Sequence, residues 1–252
     1  MTQLDLLAFA AHPDDVELCA GGTMCLLAKQ GYSTGIVDLS QGELGSRGTP
    51  ALRKEEAAEA SKILGISARV NLGMPDGDIQ NTKANQLKII ETIRRFRPHI
   101  ILLNAPLDRH PDHGDAAELV KSALFYAGLI KVETRGPDGT LQEPWRPDHA
   151  LHYMQSTPFE PTMIVDVSDV WTQRMEAMQA FKSQFFNPGY KAGKDEPQTF
   201  ISNPEYFKWI EARARTYGYM IGATYGEPFL YNQGPIGVTD LFATLSRKKE
   251  FK

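Results

Sequence analysis

The chain has 252 residues, 42% of them hydrophobic and 23% charged, with a formal net charge of -4. That balance fits one folded α/β unit, excludes a disordered or fibrous chain, and leaves no basic field for a nucleic-acid backbone. No run of about 18 apolar residues is present to cross a membrane, and Met1-Thr2-Gln3-Leu4-Asp5 lacks the basic opening and apolar stretch of an export signal, so a cytoplasmic protein is expected.

The apolar stretch 4–9 reads as a buried strand and runs into Ala10-Ala11-His12-Pro13-Asp14-Asp15-Val16-Glu17. Strand ends are where α/β sheets keep their sites. His12 and Asp15 offer an imidazole and a carboxylate three residues apart, across a turn stiffened by Pro13, as a pair of metal ligands would. Asp14, between them, is placed to take a proton from a water at such a metal. A helix is expected over 18–30, closed by Gly31, with Gly21 and Gly22 where a neighbouring segment passes close. It carries Cys19 and Cys25, six residues apart on different faces and therefore not bridged. The Gly-x-Gly-x-x-Gly of a dinucleotide site is missing; His12-Pro13-Asp14-Asp15 occupies that turn, so a Rossmann-like sheet without nucleotide is expected.

A second strand is expected over 34–39, followed by a 41–49 loop whose Gly42, Gly45 and Gly48 lie where a ligand would be touched. Thr49 and Pro50 open a helix over 51–64 that Gly65 stops. Arg53 falls in its first turn, where a cation opposes the helix dipole; contact with an anionic substrate explains it better. A strand over 68–72, a turn-rich 73–78, a helix over 85–96 and a strand over 100–103 continue the alternation, which calls for a parallel sheet with right-handed crossovers. That last strand delivers a second motif, Asp108-Arg109-His110-Pro111-Asp112-His113, before a helix over 116–129. Converging at one sheet edge, the two His-Pro-Asp turns would supply two imidazoles and a carboxylate, the ligand count of an open catalytic zinc site.

The back third is expected to hold strands over 149–154 and 163–167, a helix over 170–186, and a 187–194 loop serving as lid or subunit contact. A final helix over 204–221 carries Phe207, Trp209, Arg213, Arg215 and Tyr217, a set that suits core packing or a homo-oligomer contact. Gly226-Glu227-Pro228-Phe229 follows it. His149 and His152 are expected to be structural. With no repeat or linker, 1–252 is expected to be a single domain: a Rossmann-like core over roughly 1–130, the rest completing the sheet, the site rim and subunit contacts. The expected fold class is a three-layer α/β sandwich with a mostly parallel twisted sheet.

The pairing of Ala11-His12-Pro13-Asp14-Asp15-Val16-Glu17 with His110-Pro111-Asp112-His113, together with Leu52-Arg53-Lys54-Glu55-Glu56-Ala57, resembles the zinc-dependent N-acetylglucosaminyl deacetylases of the LmbE or PIG-L family. Asn104-Ala105-Pro106, Ala180-Phe181-Lys182-Ser183-Gln184-Phe185, and Ala212-Arg213-Ala214-Arg215 before Tyr225-Gly226-Glu227-Pro228-Phe229 are similar to its bacillithiol-biosynthesis branch, which deacetylates N-acetylglucosaminyl malate. The resemblance implies one zinc ion per chain held by His12, Asp15 and His113, with iron or cobalt also chemically suitable. It implies Asp14 as general base and His110 as the group that stabilises the oxyanion and assists the leaving amine. Arg53 and Arg109 would hold substrate carboxylates or sugar hydroxyls; relatives acting on the inositol analogue carry glycine and tyrosine where Asp108 and Arg109 stand here. Asp112 would orient a site histidine. The implied partner is a small acetylated sugar conjugate, not nucleic acid or membrane, and the implied assembly a homo-oligomer, hexameric in many relatives. Two other readings use the same residues: the same hydrolysis on chitobiose or an acetylated thiol conjugate, and a non-catalytic Rossmann-like binding protein whose histidine turns are structural.

Overall fold

The computed structural model describes residues 3–240. In chain order its elements are β1 (Leu6–Ala10), α1 (Asp15–Lys29), β2 (Thr34–Ser40), α2 (Pro50–Leu64), β3 (Ala68–Met74), α3 (Lys83–Phe96), β4 (Ile100–Leu103) and α4 (Pro111–Ala127). Then come β5 (His149–Tyr153), β6 (Met163–Asp166), a short 3-10 turn, α5 (Trp171–Gln179), α6 (Pro204–Met220) and β7 (Gly226–Leu230). One sheet holds the strands in the order β3-β2-β1-β4-β5-β7-β6. The first five run parallel, and β7 pairs antiparallel with both β5 and β6.

The apolar sequence of β1 is what a central parallel strand requires, because both of its faces are covered. Leu7 and Phe9 enter the core that includes α3 and α4 residues, whereas Leu6, Ala8 and Ala10 enter the opposite core with α1. From β1 the chain steps outward through β2 to β3, then crosses back to place β4 on the other side of β1. The crevice beyond the carboxyl ends of β1 and β4 is thus the switch point at which such sheets bind ligands. Both His-Pro-Asp stretches open onto it.

Three expectations need correction. The second motif is not a turn before a helix at 116: α4 starts at Pro111, because His110 caps it and proline suits a first helical position. Likewise α1 starts at Asp15, so one carboxylate of the first motif is helical. The helix expected over 170–186 ends at Gln179. Beyond it Phe181 and Phe185 turn into a third core cluster, and the Ser183 N–H and Oγ donate to the two oxygens of buried Glu56, each at 2.7 Å. Gly226-Glu227-Pro228-Phe229, for which no element is expected from the sequence, is a strand despite its charge and proline. Glu227 points inward to accept hydrogen bonds from the Gly22 and Thr23 N–H groups at 2.8 and 2.7 Å. A Cβ at Gly22 would come within 2.8 Å of Val167, the close approach that demands glycine there. Cys19 and Cys25 are free and buried. Among the described residues no helix is long and apolar enough to cross a membrane.

Candidate functional site

The turn between β1 and α1 and the start of α4 line a cavity of about 400 Å³. Its walls include His12, Asp14, Asp15, Arg53, Asp76, Arg109, His110 and His113. Three larger cavities, of 630, 510 and 440 Å³, lie beside β3, beside β5 and between β3 and α3, and contain none of these side chains. Asp14 has a φ of 121°, a conformation that non-glycine residues rarely adopt and that collects at functional sites.

Carboxylates hold the two site histidines from behind. His12 Nε2 lies 3.0 Å from Asp76 Oδ1 and 3.1 Å from Asp112 Oδ2, and His113 Nδ1 lies 2.6 Å from Asp108 Oδ2. That leaves His12 Nδ1 and His113 Nε2, and both face Asp15: 3.8 Å from its Oδ2 and 3.2 Å from its Oδ1. Ligands of one tetrahedral zinc, at bonds of ~2.0–2.1 Å, stand roughly 3.3 Å apart. The His113–Asp15 separation matches that spacing and the His12–Asp15 one is wider, and both rings have carboxylates behind them, as metal-binding imidazoles usually have.

Among the described residues two trios bring donor atoms within 4.8 Å of one another: His12, His110 and His113, and His12, Asp76 and Asp112. In the latter both carboxylates address one nitrogen of His12, at 3.0 and 3.1 Å, as acceptors of its proton. In the former, His110 Nδ1 accepts the Asp112 N–H at 3.3 Å, so the proton of the neutral ring sits on Nε2. Burial and the charges of His12 and His113 keep the His110 pKa below its ordinary value. His110 is thus built as a hydrogen-bond donor.

The metal-free electrostatics show how strongly this pocket seeks positive charge. Burial opposes protonation of His12, yet hydrogen bonds to Asp112 and Asp76 and the charge of Asp15 lift its pKa to about 10. Burial likewise opposes protonation of His113, and Asp15 and Asp108 outweigh it, to about 9. The Asp15 carboxyl stays well below the usual range because His113 and His12 overcome its burial. A bound cation would replace those protons. Asp14 behaves oppositely: burial pushes its carboxyl up to about 7, against the pull of the Arg53 guanidinium, whose Nη2 lies 3.8 Å away.

Arg53 is buried, donates from Nη2 to Gln184 Oε1, and has no partner at Nε. Gly42, at φ +68°, lies against its Nη1 so closely that any Cβ would overlap the guanidinium. Arg109 is exposed at the rim, 4.9 Å over the ring of Phe200. The 41–49 and 187–196 segments are tied together: Glu196 accepts from the Gly48 N–H at 3.2 Å and from the Tyr190 hydroxyl at 2.9 Å.

Sequence reasoning missed several members of the site. Asp76 reads as part of a turn, but its other oxygen accepts the Leu44 N–H at 2.8 Å, joining the glycine loop to His12. Gln155 and Phe200 give no local signal at all, and Asn104 and Gln184 lie in stretches that carry the resemblance without being assigned a role. His149 and His152 line the separate 510 Å³ cavity, where His152 Nδ1 donates to the Asn104 carbonyl at 2.6 Å.

The family described as PIG-L, GlcNAc-PI de-N-acetylase, matches residues 7–124. Diacetylchitobiose deacetylase of Thermococcus kodakarensis is 29% identical over 194 residues, covering 71% of this chain and 70% of the relative. The 4-oxalmesaconate hydratase of Pseudomonas putida is 28% identical over 207 residues, 72% of this chain and 74% of its own length. The probable N-acetyl-alpha-D-glucosaminyl L-malate deacetylase 2 of Bacillus cereus is 26% identical over 195 residues, covering 71% and 83%. The crystal structure of the conserved protein TT1542 from Thermus thermophilus matches with a TM-score of 0.82 and 37% identity, over 95% of this chain and 99% of that one.

Proposed function

The chain belongs to the PIG-L family, and from that premise we propose a zinc-dependent deacetylase that hydrolyses N-acetylglucosaminyl malate to the free amine and acetate, a step of bacillithiol biosynthesis. The observation that carries the hydrolytic reading is the convergence of His12 Nδ1 and His113 Nε2 on Asp15, with Asp14 and His110 on the same cavity wall. A divalent cation held by His12, Asp15 and His113 supplies a Lewis acid for water and for the amide carbonyl. Asp14, poised near neutrality, takes the proton of the attacking water. His110 Nε2–H donates to the carbonyl oxygen as negative charge gathers there, and the proton that Asp14 has taken passes to the departing nitrogen as the C–N bond breaks. Asp76, Asp112 and Asp108 hold the two ligand rings in one orientation.

The malate assignment is supported by two cations on the cavity wall, Arg53 and Arg109, and by the Bacillus cereus relative. Replacing Arg109 with Ala is expected to raise KM for the malate conjugate by about tenfold, the scale of one charge-assisted contact, and to leave KM for neutral diacetylchitobiose unchanged. Equal effects on both substrates would remove Arg109 from carboxylate recognition. We further propose a single-domain cytoplasmic enzyme acting as a homo-oligomer, supported by the exposed apolar side chains of Met163, Trp209 and Met220.

Amine release from N-acetylglucosaminyl malate, measured on protein as isolated, after chelation, and after zinc is restored, tests the whole reading. Activity that chelation abolishes and zinc restores is the expected result. Faster turnover of diacetylchitobiose would reassign the substrate within the deacetylases. The hydratase relative favours a second reading, addition of water to a carbon–carbon double bond by the same base; turnover of 4-oxalmesaconate without any amine release would establish it instead.

A further inference from the structure

We propose that Asn104 and Gln155 are positioning residues: an amide clamp that orients the Asp15 carboxylate for the cation, so that its loss weakens metal binding without unfolding the chain. Both stand just past strand ends, of β4 and β5, and both are buried. A backbone N–H sets the orientation of each amide. Ala11 N–H donates to Asn104 Oδ1, and Ala105 N–H to Gln155 Oε1, each at 3.1 Å. An amide whose oxygen is taken by a backbone donor must present its NH2 group elsewhere. Asn104 Nδ2 accordingly donates to Asp15 Oδ2 at 3.0 Å and to Gln155 Oε1 at 3.1 Å, and Gln155 Nε2 donates to Asp15 Oδ1 at 3.2 Å.

The His12 N–H adds a further donor to Asp15 Oδ2, at 3.1 Å. Three of the about four lone-pair positions of the carboxylate are then filled. The one left is on Oδ1, the oxygen 3.2 Å from His113 Nε2, and that is where the clamp directs a cation. The clamp is itself braced from outside the cavity. Arg213 Nη1, on α6, donates to the Gln155 carbonyl, and buried His152 donates to that of Asn104. This gives the arginine of the last helix and the buried histidine of β5 a role that the chemistry does not.

The inference rests on Asp15 being a metal ligand, as proposed above. Zinc affinity of the full chain, by competition with a chromophoric chelator, tests it alongside the melting temperature of the metal-free protein. Gln155→Met keeps the volume and removes the donor; Arg213→Ala loosens only the brace. Partners that orient metal ligands are worth about 10–100-fold in affinity, so the zinc Kd should rise by that factor in Gln155→Met and by a smaller factor in Arg213→Ala, with metal-free melting temperatures close to that of the parent. An unchanged Kd in both variants overturns the clamp, as does a loss of affinity accompanied by an equal collapse of metal-free stability. A parent protein that binds no zinc overturns the ligand assignment along with it.

Discussion

Asp14→Asn is expected to lower kcat/KM by roughly 10²–10⁴-fold, the scale of a positioned general base, while zinc content stays unchanged and thermal stability rises. The opposite signs have one cause. Burial holds the Asp14 carboxyl at about 7, above its ordinary 3.8. Folding therefore favours the protonated form: the stabilisation is fully present below about pH 3.8 and is lost as pH rises through about 7. At neutral pH the ionised side chain is a cost that the fold carries, and an uncharged isostere removes it. The base works only when ionised, so the parent rate should fall as pH drops through the Asp14 pKa, at or below about 7 once a cation adds its attraction. That acid limb should disappear in Asp14→Asn. In Arg53→Leu it should move to higher pH, because the guanidinium 3.8 Å away no longer favours the charge. An Asp14→Asn protein with near-parental turnover, or an acid limb indifferent to both changes, would assign the base elsewhere.

What the sequence shows of this molecule follows from how local each signal is. His12, Asp14 and Asp15 are legible because a strand end and a helix start place them within one turn, and the second His-Pro-Asp stretch repeats that pattern after β4. Alternating strands and helices likewise fix the parallel half of the sheet, since a crossover has one preferred hand. Partners joined only by tertiary folding leave no such trace. Gln155 reaches Asp15 across 140 positions and Asp112 reaches His12 across 100, contacts set by which strand ends become neighbours. Local pattern fails in the same way at the end of α5, where Glu56 draws the Ser183 backbone out of a helix that periodicity alone would continue. At β7 nothing local marks Glu227 as buried; its partners, the Gly22 and Thr23 N–H groups, lie about 200 positions away.

His110→Ala is expected to reduce kcat by about 10²–10³-fold, the loss that follows removal of one donor to a developing oxyanion, and to leave KM and zinc affinity within a few fold. The distinction matters because the ring of His110 lies among the proposed ligands, its centroid 4.7 Å from that of His12 and 5.0 Å from that of His113. Proximity alone would make it a third imidazole on the metal. Its hydrogen bond argues otherwise: Nδ1 is spent on the Asp112 N–H at the start of α4, which fixes the proton on Nε2 and makes that nitrogen a donor rather than a ligand. Alanine also removes the helix cap, at about 0.5–2 kcal/mol, so a lower melting temperature should accompany the loss of rate. His110→Asn keeps both a cap and an N–H, and should recover stability fully and rate in part. If zinc affinity instead falls in step with kcat, His110 is a ligand. The metal set would then be His12, His110 and His113, with Asp15 beside it and held by the Asn104 and Gln155 amides.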